Sequence, residues 1–404
     1  MRSRMDDFGF MVGIRQAGPF MAAVMLFAAN PARADFQTCL AGLRVTATAA
    51  GVSTQTFDQA TQGLQPNPEV ITFSMSQPEF KTPIWDYLAG LVDDERVADG
   101  QGMMRKWGQA LASAQSRFGV DPATVTAVWG VESNFGQAFG NRPIVQSLAT
   151  LSCDGRRQAY FRTEFVAALK ILQAGDIDPA QFKGSWAGAF GHTQFMPSTF
   201  LRIAVDGDGD GKRDLINSVP DALASTANYL HKAGWQTGGT WGFEVKLPEG
   251  YNGPSGRTKK QPMAAWAGRG IKRIDGRPLG EGSAGLLLPA GPQGPAFLVT
   301  RNFDAIYGYN AAESYALAIS LLSDRLRGQP GLRTPWPTDD PGLSRADRRE
   351  VQTRLVQRGY DLQGKIDGVI GDKTREAIAD FQGKAGLKRD GRASVSVLTA
   401  LRGR

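Results

Sequence analysis

Ala127-Val-Trp-Gly-Val-Glu-Ser-Asn-Phe-Gly136 is the stretch on which the reading of this chain turns. Just upstream, Asp121-Pro122 predicts a helix start: an acidic N-cap, then a proline whose fixed φ suits the first helical position. Val125, Val128 and Trp129 follow at helical spacing, and Glu132 falls on the same stripe. A carboxylate on the buried face of a helix is poorly solvated, which raises its pKa and keeps a proton on it near neutral pH. That is what a general acid needs. The position also suits a helix-end glutamate that bends back to water, and the segment alone leaves both readings open.

Working outward, 404 residues give room for two or three domains, and 42% hydrophobic with 21% charged residues fits a globular protein. The N-terminus reads as a secretory signal over residues 1–34. Arg2, Arg4 and Arg15 precede an apolar run from Phe20 to Ala29, and Ala32-Arg-Ala34 offers a small-x-small cleavage site. Asp35 would be the first mature residue. The apolar run is too short to span a bilayer, and no later segment is long and apolar enough, so the mature chain is expected to lack a membrane span. The two cysteines, Cys39 and Cys153, are expected to form a disulfide in an oxidising compartment, the alternative being two buried thiols.

The formal net charge of +7 is unevenly spread. Residues 343–404 hold fourteen Lys/Arg against eight Asp/Glu, while residues 35–342 are close to neutral. The basic character therefore belongs to a C-terminal segment, which favours an anionic surface or polymer. No nucleic-acid-binding motif is recognisable, and a nucleic-acid partner is not expected.

Helical patterns dominate from Phe36 to about Ala174, including an amphipathic stretch from Arg156 to Leu172. Another helical pattern runs from Ser218 to Leu230. Residues 238–300 mix glycine and proline with β-prone runs such as Phe243–Leu247 and Ala296–Thr300, which predicts a small sheet. A last helix is expected from Ala311 to Leu326. Gln329 to Gly342, with four prolines and two glycines, reads as a stiff linker. Beyond it lies a compact basic module at 343–404 with helical patterns at Arg345–Arg358 and Lys373–Gln382.

A second stretch carries chemistry: Lys183-Gly-Ser-Trp-Ala-Gly-Ala-Phe-Gly-His-Thr-Gln-Phe-Met-Pro-Ser-Thr-Phe200. Its glycines allow close backbone approach. Ser185, His192, Thr193 and Gln194 offer polar tips, and Trp186, Phe190 and Phe195 offer aromatic faces. This suits a sugar-binding cleft as well as it suits a plain glycine-rich loop leading into a helix. Together with Gly-Val-Glu-Ser-Asn-Phe-Gly, it resembles the B-type lytic murein transglycosylases over roughly Phe36 to Arg327. Residues 343–404 resemble the small three-helix peptidoglycan-binding module of wall enzymes, through Val351-Gln-Thr-Arg-Leu, Gly359-Tyr, Ile366-Asp-Gly-Val-Ile-Gly-Asp-Lys-Thr-Arg-Glu-Ala-Ile and Phe381-Gln.

The resemblance implies a mainly α (α+β) architecture: a lysozyme-like catalytic domain with a small β subdomain at 35–328, the linker at 329–342 and the separate three-helix module. It implies a periplasmic enzyme, needing no cofactor, that acts on peptidoglycan glycan strands. Such enzymes cut between N-acetylmuramic acid and N-acetylglucosamine without consuming water and leave a 1,6-anhydromuramoyl end. Ordinary glycosidases need two carboxylates, whereas only Glu132 stands in a motif of this kind here. The resemblance makes Glu132 the sole acid and base, the alternatives being a hydrolytic muramidase or an inactive peptidoglycan-binding scaffold. It places Arg156, Arg157, Ser185, Gln194, Tyr229, Tyr309, Asn310 and Tyr315 around the saccharide. For Arg156 and Arg157 two solvated cations, and for Tyr229 and Tyr315 core packing, remain the alternatives. Nothing asks for more than a monomer.

Asp206-Gly-Asp-Gly-Asp-Gly-Lys-Arg-Asp214 is a separate signal. Asp206, Asp208 and Asp210, with Gly211, match positions 1, 3, 5 and 6 of a calcium loop, and Asp214 would be position 9. Position 12 is Asn217 instead of the bidentate glutamate. The loop reads either as a weakened structural calcium site or as a solvated acidic turn.

Overall fold

The computed structural model describes residues 31–75 and 82–403, with side chains from Asp35 onward. The signal segment expected at the N-terminus lies outside these residues up to position 30. The first helices are α1 (Pro31–Ala49), α2 (Thr54–Thr61), α3 (Pro68–Met75), α4 (Ile84–Leu91), α5 (Asp94–Lys106), α6 (Gly108–Phe118) and α7 (Pro122–Ser133). A short strand β1 (Arg142–Pro143) leads to α8 (Ile144–Asp154) and α9 (Gln158–Ala174). Strand β2 (Lys183–Gly184) pairs back onto β1, drawing the glycine-rich loop towards the end of α7. Helices α10 (Pro197–Ile203) and α11 (Val219–Lys232) follow.

A subdomain then inserts, with strands β3 (Gly242–Lys246), β4 (Gly256–Pro262), helix α12 (Met263–Gly268), and β5 (Lys272–Arg273), β6 (Ser283–Leu287) and β7 (Ala296–Val299). Its sheet is antiparallel in the order β4-β6-β7-β3-β5. Helices α13 (Arg301–Asn310) and α14 (Glu313–Leu326) close the body. The C-terminal module comprises α15 (Arg345–Gln357), α16 (Asp372–Lys384) and α17 (Val395–Leu401). The protein is mainly helical with a small sheet, and its C-terminal helices have a core of their own built from Val351, Leu355, Ile378, Phe381 and Val397.

Two larger cores define the body. One gathers Trp129 and Val128 of α7 with Leu223 and Leu230 of α11, Phe303 of α13 and Leu317 and Leu322 of α14. The other gathers α1 to α3 with α8, α9 and the phenylalanines of the glycine-rich loop. Tyr229 and Tyr309 pack against both, so the seam between the two cores runs past them. A disulfide between Cys39 and Cys153 joins α1 to the end of α8. Closing so long a loop stabilises a fold by about 4–5 kcal/mol in the chain-entropy account.

Several elements differ from the sequence expectation. Residues from Ala123 to Gly130 of α7 are buried on every side, so it is a core helix and not one with a single apolar stripe. Helix α9 starts at Gln158 because Arg157 takes a left-handed φ of 65°. The expected last helix is α14, which starts two residues later than expected, at Glu313; a further helix, α13, precedes it and ends at a left-handed Ala311 (φ 49°). The segment 329–342 is a strap held at both ends. The Arg333 and Thr334 amides donate to the Glu244 carboxylate at 2.9 and 2.8 Å, and Gly342 bridges to Ser394 in the module.

Candidate active site

Helix α7 starts where the Asp121 carboxylate accepts the Thr124 amide at 2.9 Å, with Pro122 at the first position. The twelve-residue helix carries Glu132 on its last turn, against Tyr315. Beyond Ser133 the chain turns sharply, with Asn134 and Phe135 both left-handed, at φ 49° and 58°. Gly136 completes the turn at φ 85°, and a Cβ there would lie 2.4 Å from the His192 ring, so the approach requires glycine.

Glu132 is half-buried at the end of the helix. Burial pushes its carboxyl up from 4.5 to about 7, opposed by a hydrogen bond from Tyr315, whose hydroxyl donates to Oε1. No neighbouring charge contributes to the shift, so among the described residues no second carboxylate bears on it. Tyr315, itself buried, is held well above its ordinary value by burial and by the Glu132 charge, and so stays a donor. Tyr309 is shifted the same way for the same two reasons.

The tyrosines form a packed wall. Tyr309 lies parallel to Tyr315 at 6.2 Å between ring centres, and 4.6 Å from Tyr229. The Tyr309 hydroxyl donates to the Thr193 carbonyl at 2.6 Å, and that of Tyr229 to the Gly308 carbonyl at 2.6 Å. Three tyrosines predicted for the site are therefore packed in a row, from α11, α13 and α14, with Tyr315 bonded to Glu132. Gln194, left-handed at φ 50°, spans the loop: its Nε2 donates to the Gly191 carbonyl at 2.8 Å and to the Phe139 carbonyl at 3.3 Å. Ser185 sits in the preceding turn, its Oγ accepting the Ala189 amide at 3.0 Å. Asn310 is exposed at the end of α13. Arg156 and Arg157 are exposed on the turn between α8 and α9, where Arg157 stacks over the Tyr160 ring.

The sequence offered His192 and Thr193 as polar tips for a sugar and Trp129 as an apolar-stripe residue; in the structure Trp129 and His192 hold the loop to α7, and the Thr193 carbonyl ties it to Tyr309. Trp129 Nε1 donates to His192 Nδ1 at 3.0 Å, and Ser133 Oγ donates to the His192 carbonyl at 2.5 Å. Burial pushes His192 down to about 4, so it is a neutral acceptor and not an acid at neutral pH. The available signal was a histidine next to a glycine in the loop motif, which marks close packing as readily as catalysis.

In the acidic loop, Asp206, Asp208 and Asp210 each bring a carboxylate oxygen within 4.8 Å of the others, a donor set that suits a hard cation. Asp214 stands outside that group. Its carboxylate caps the next turn, accepting the Ile216 and Asn217 amides at 2.8 and 3.0 Å.

The site is thus a half-buried carboxyl, raised to about 7 by burial, beside a wall of tyrosines in a helical body, with a basic three-helix module docked behind it. Residues 35–324 match the transglycosylase SLT domain, and residues 344–401 match a peptidoglycan binding domain. The chain belongs to the transglycosylase SLT family. It is 32% identical over 263 residues to the membrane-bound lytic murein transglycosylase B of Escherichia coli (strain K12), which spans 61% of this chain and 69% of that protein. The structure of SltB3 from Pseudomonas aeruginosa in complex with NAG-anhNAM-pentapeptide is 45% identical, covering 91% of this chain and 99% of the other, with a TM-score of 0.73. The Escherichia coli lytic transglycosylase Slt35 in complex with calcium is 28% identical, covering 73% and 93%, with a TM-score of 0.63.

Proposed function

We propose that this protein is exported to the periplasm and cleaves the β-1,4 bond between N-acetylmuramic acid and N-acetylglucosamine in peptidoglycan. Glu132 is the sole catalytic residue for proton transfer. Its carboxylic acid gives a proton to the glycosidic oxygen as the bond from C1 to that oxygen breaks. The carboxylate then takes the proton of the muramoyl C6 hydroxyl as that oxygen closes on C1, leaving a 1,6-anhydro end and consuming no water. The observation that carries this reading is the Glu132 carboxyl, raised to about 7 by burial with no second carboxylate among the described residues acting on it. A hydrolytic pair needs a second acid to activate water or attack the sugar. The anhydro sugar bound in the SltB3 complex supports the same product.

Tyr315 orients the carboxyl, and Tyr229, Tyr309, Asn310, Ser185, Gln194, Arg156 and Arg157 are the residues that meet the glycan and its peptides. The division into a catalytic domain at 35–328, a strap at 329–342 and a wall-binding module at 343–404, working as a monomer, goes with this reading. Calcium fits the loop: Asp206, Asp208 and Asp210 would hold it, and it would supply only rigidity to the turn that precedes α11. The test is mass spectrometry of muropeptides released by wild type and by Glu132→Gln. Products with ordinary reducing ends, or an unimpaired Glu132→Gln variant, would overturn the proposal.

A further inference from the structure

The C-terminal module is docked on the catalytic body, close behind Glu132. Arg345, the first residue of α15, is almost fully buried in this contact, at 9% exposure. Its Nε donates to Asp93 Oδ2 at 3.0 Å and its Nη2 to Asp99 Oδ2 at 3.3 Å. Its Nη1 donates to Asn134 Oδ1 at 2.7 Å. Around it, Arg349 pairs with Glu95 at 2.7 Å, Arg392 pairs with Asp86 at 2.5 Å, and Arg348 Nη2 donates to the Asp86 carbonyl at 2.8 Å. These are fixed, partly desolvated pairs, unlike the loose contacts of a module that merely swings on a tether.

Asn134 is where the module reaches the chemistry. It caps α7 two residues after Glu132, and with Phe135 it forms two consecutive left-handed residues that are not glycine. Asparagine tolerates that region, while a bulky residue such as phenylalanine enters it only when its surroundings impose it. Phe135 is held from inside. Its ring packs at 5.7 Å from Trp129 and fills the space above Gly130, where a Cβ would sit 2.7 Å from its Cζ. Asn134 is held from outside, by Arg345. The neighbouring buried Arg96 donates to the Gly130 carbonyl, one turn before the cap. The end of the helix that carries Glu132 is thus clamped between its own aromatic core and a guanidinium from the C-terminal module.

We propose that Arg345 is a positioning residue for catalysis, fixing the turn after Glu132 through the side chain of Asn134. The module therefore completes the active site as well as holding the wall. This rests on Glu132 being the acid. A carboxyl that must meet a glycosidic oxygen and then a C6 hydroxyl is sensitive to displacement of its helix end, since reactive geometry is lost over about 1 Å.

The experiment uses the full chain and a soluble, uncrosslinked muropeptide tetrasaccharide as substrate, assayed well below the melting temperature. Arg345→Met is expected to lower kcat by about tenfold with KM nearly unchanged. Arg345→Lys, which keeps the charge but not the planar fork, should recover melting temperature more fully than kcat. Asn134→Gly keeps the left-handed backbone and the Asp93 pair while removing the acceptor for Arg345, together with the exposed 2.9 Å bond from Asn134 Nδ2 to Gln137 Oε1, and should lose a similar factor in kcat. The double variant should be no worse than either single one. Full kcat in Asn134→Gly, or losses that multiply in the double variant, would overturn the positioning role whether or not Arg345→Met folds. A fully active Glu132→Gln variant would overturn the underlying reading of the acid, and so separates the two failures.

Discussion

Glu132 and Asp93 both sit at helix ends turned towards protein, Glu132 on the last turn of α7 and Asp93 at the N-cap of α5. Glu132 has a neutral partner, the Tyr315 hydroxyl, and burial pushes it up to about 7. For Asp93 burial pushes upward as well, but the Arg345 guanidinium and the Arg96 amide hold it below the ordinary carboxylate range. One group is held near neutrality by burial; the other stays ionised and ties the C-terminal module to the body. Burial raises both carboxyls; the charged partner of Asp93 overrides it, and the neutral partner of Glu132 does not.

Glu132→Gln breaks the first half of this comparison most severely. Under the proposed double role as acid and base, its loss should lower kcat by about 10⁴-fold, measured as release of soluble fragments from purified peptidoglycan. The same variant has a stability signature. Between about pH 4.5 and about 7 the folded wild type keeps a proton that the unfolded chain has released, so ionisation erodes stability as pH rises through that window. Chemical denaturation at pH 8 should therefore find Glu132→Gln more stable than wild type.

Arg345→Met breaks the second half. It leaves Asp93 buried without its cation, and unfolding at pH 7 should show a loss of about 3 kcal/mol. The sign with pH is opposite to that of Glu132. The pairing of Asp93 stabilises above the ordinary carboxylate pKa and is lost as pH falls through its depressed folded value. The gap between wild type and variant should accordingly narrow below about pH 4.

Much of the first region was legible in the sequence and almost none of the second. Asp121-Pro122 and the apolar spacing after it announce α7, because cap and packing signals are local. Tyr315 lies 183 residues from Glu132, and only the family resemblance pointed to it. The Arg345–Asp93 contact spans 252 residues between polar side chains that look like any solvated pair in sequence. Helix α13 was missed because Gly308 and Asn310 resemble a loop, although the Thr300 hydroxyl accepts the Asn302 amide and starts a helix there. His192 was visible but not interpretable, since its role depends on the Trp129 indole beside it.

Smaller changes sharpen the comparison. The Tyr315 hydrogen bond lowers the Glu132 pKa against burial, so Tyr315→Phe should raise it further. The alkaline limb of the pH–rate profile should move to higher pH, with kcat down by about tenfold as the carboxyl loses its orientation. Asp206, Asp208 and Asp210 form a third case, carboxylates crowded together near the surface. Chelation should lower the melting temperature by a few degrees and leave kcat at low temperature unchanged; an unchanged melting temperature would mean the loop holds no ion that matters.

The central claim is that one carboxyl suffices because the sugar supplies its own nucleophile. Digestion of purified peptidoglycan in isotopically labelled water, followed by mass spectrometry of the products, tests it directly. The account predicts unlabelled 1,6-anhydromuramoyl ends, lighter than hydrolytic products by one water. Labelled reducing ends would contradict it.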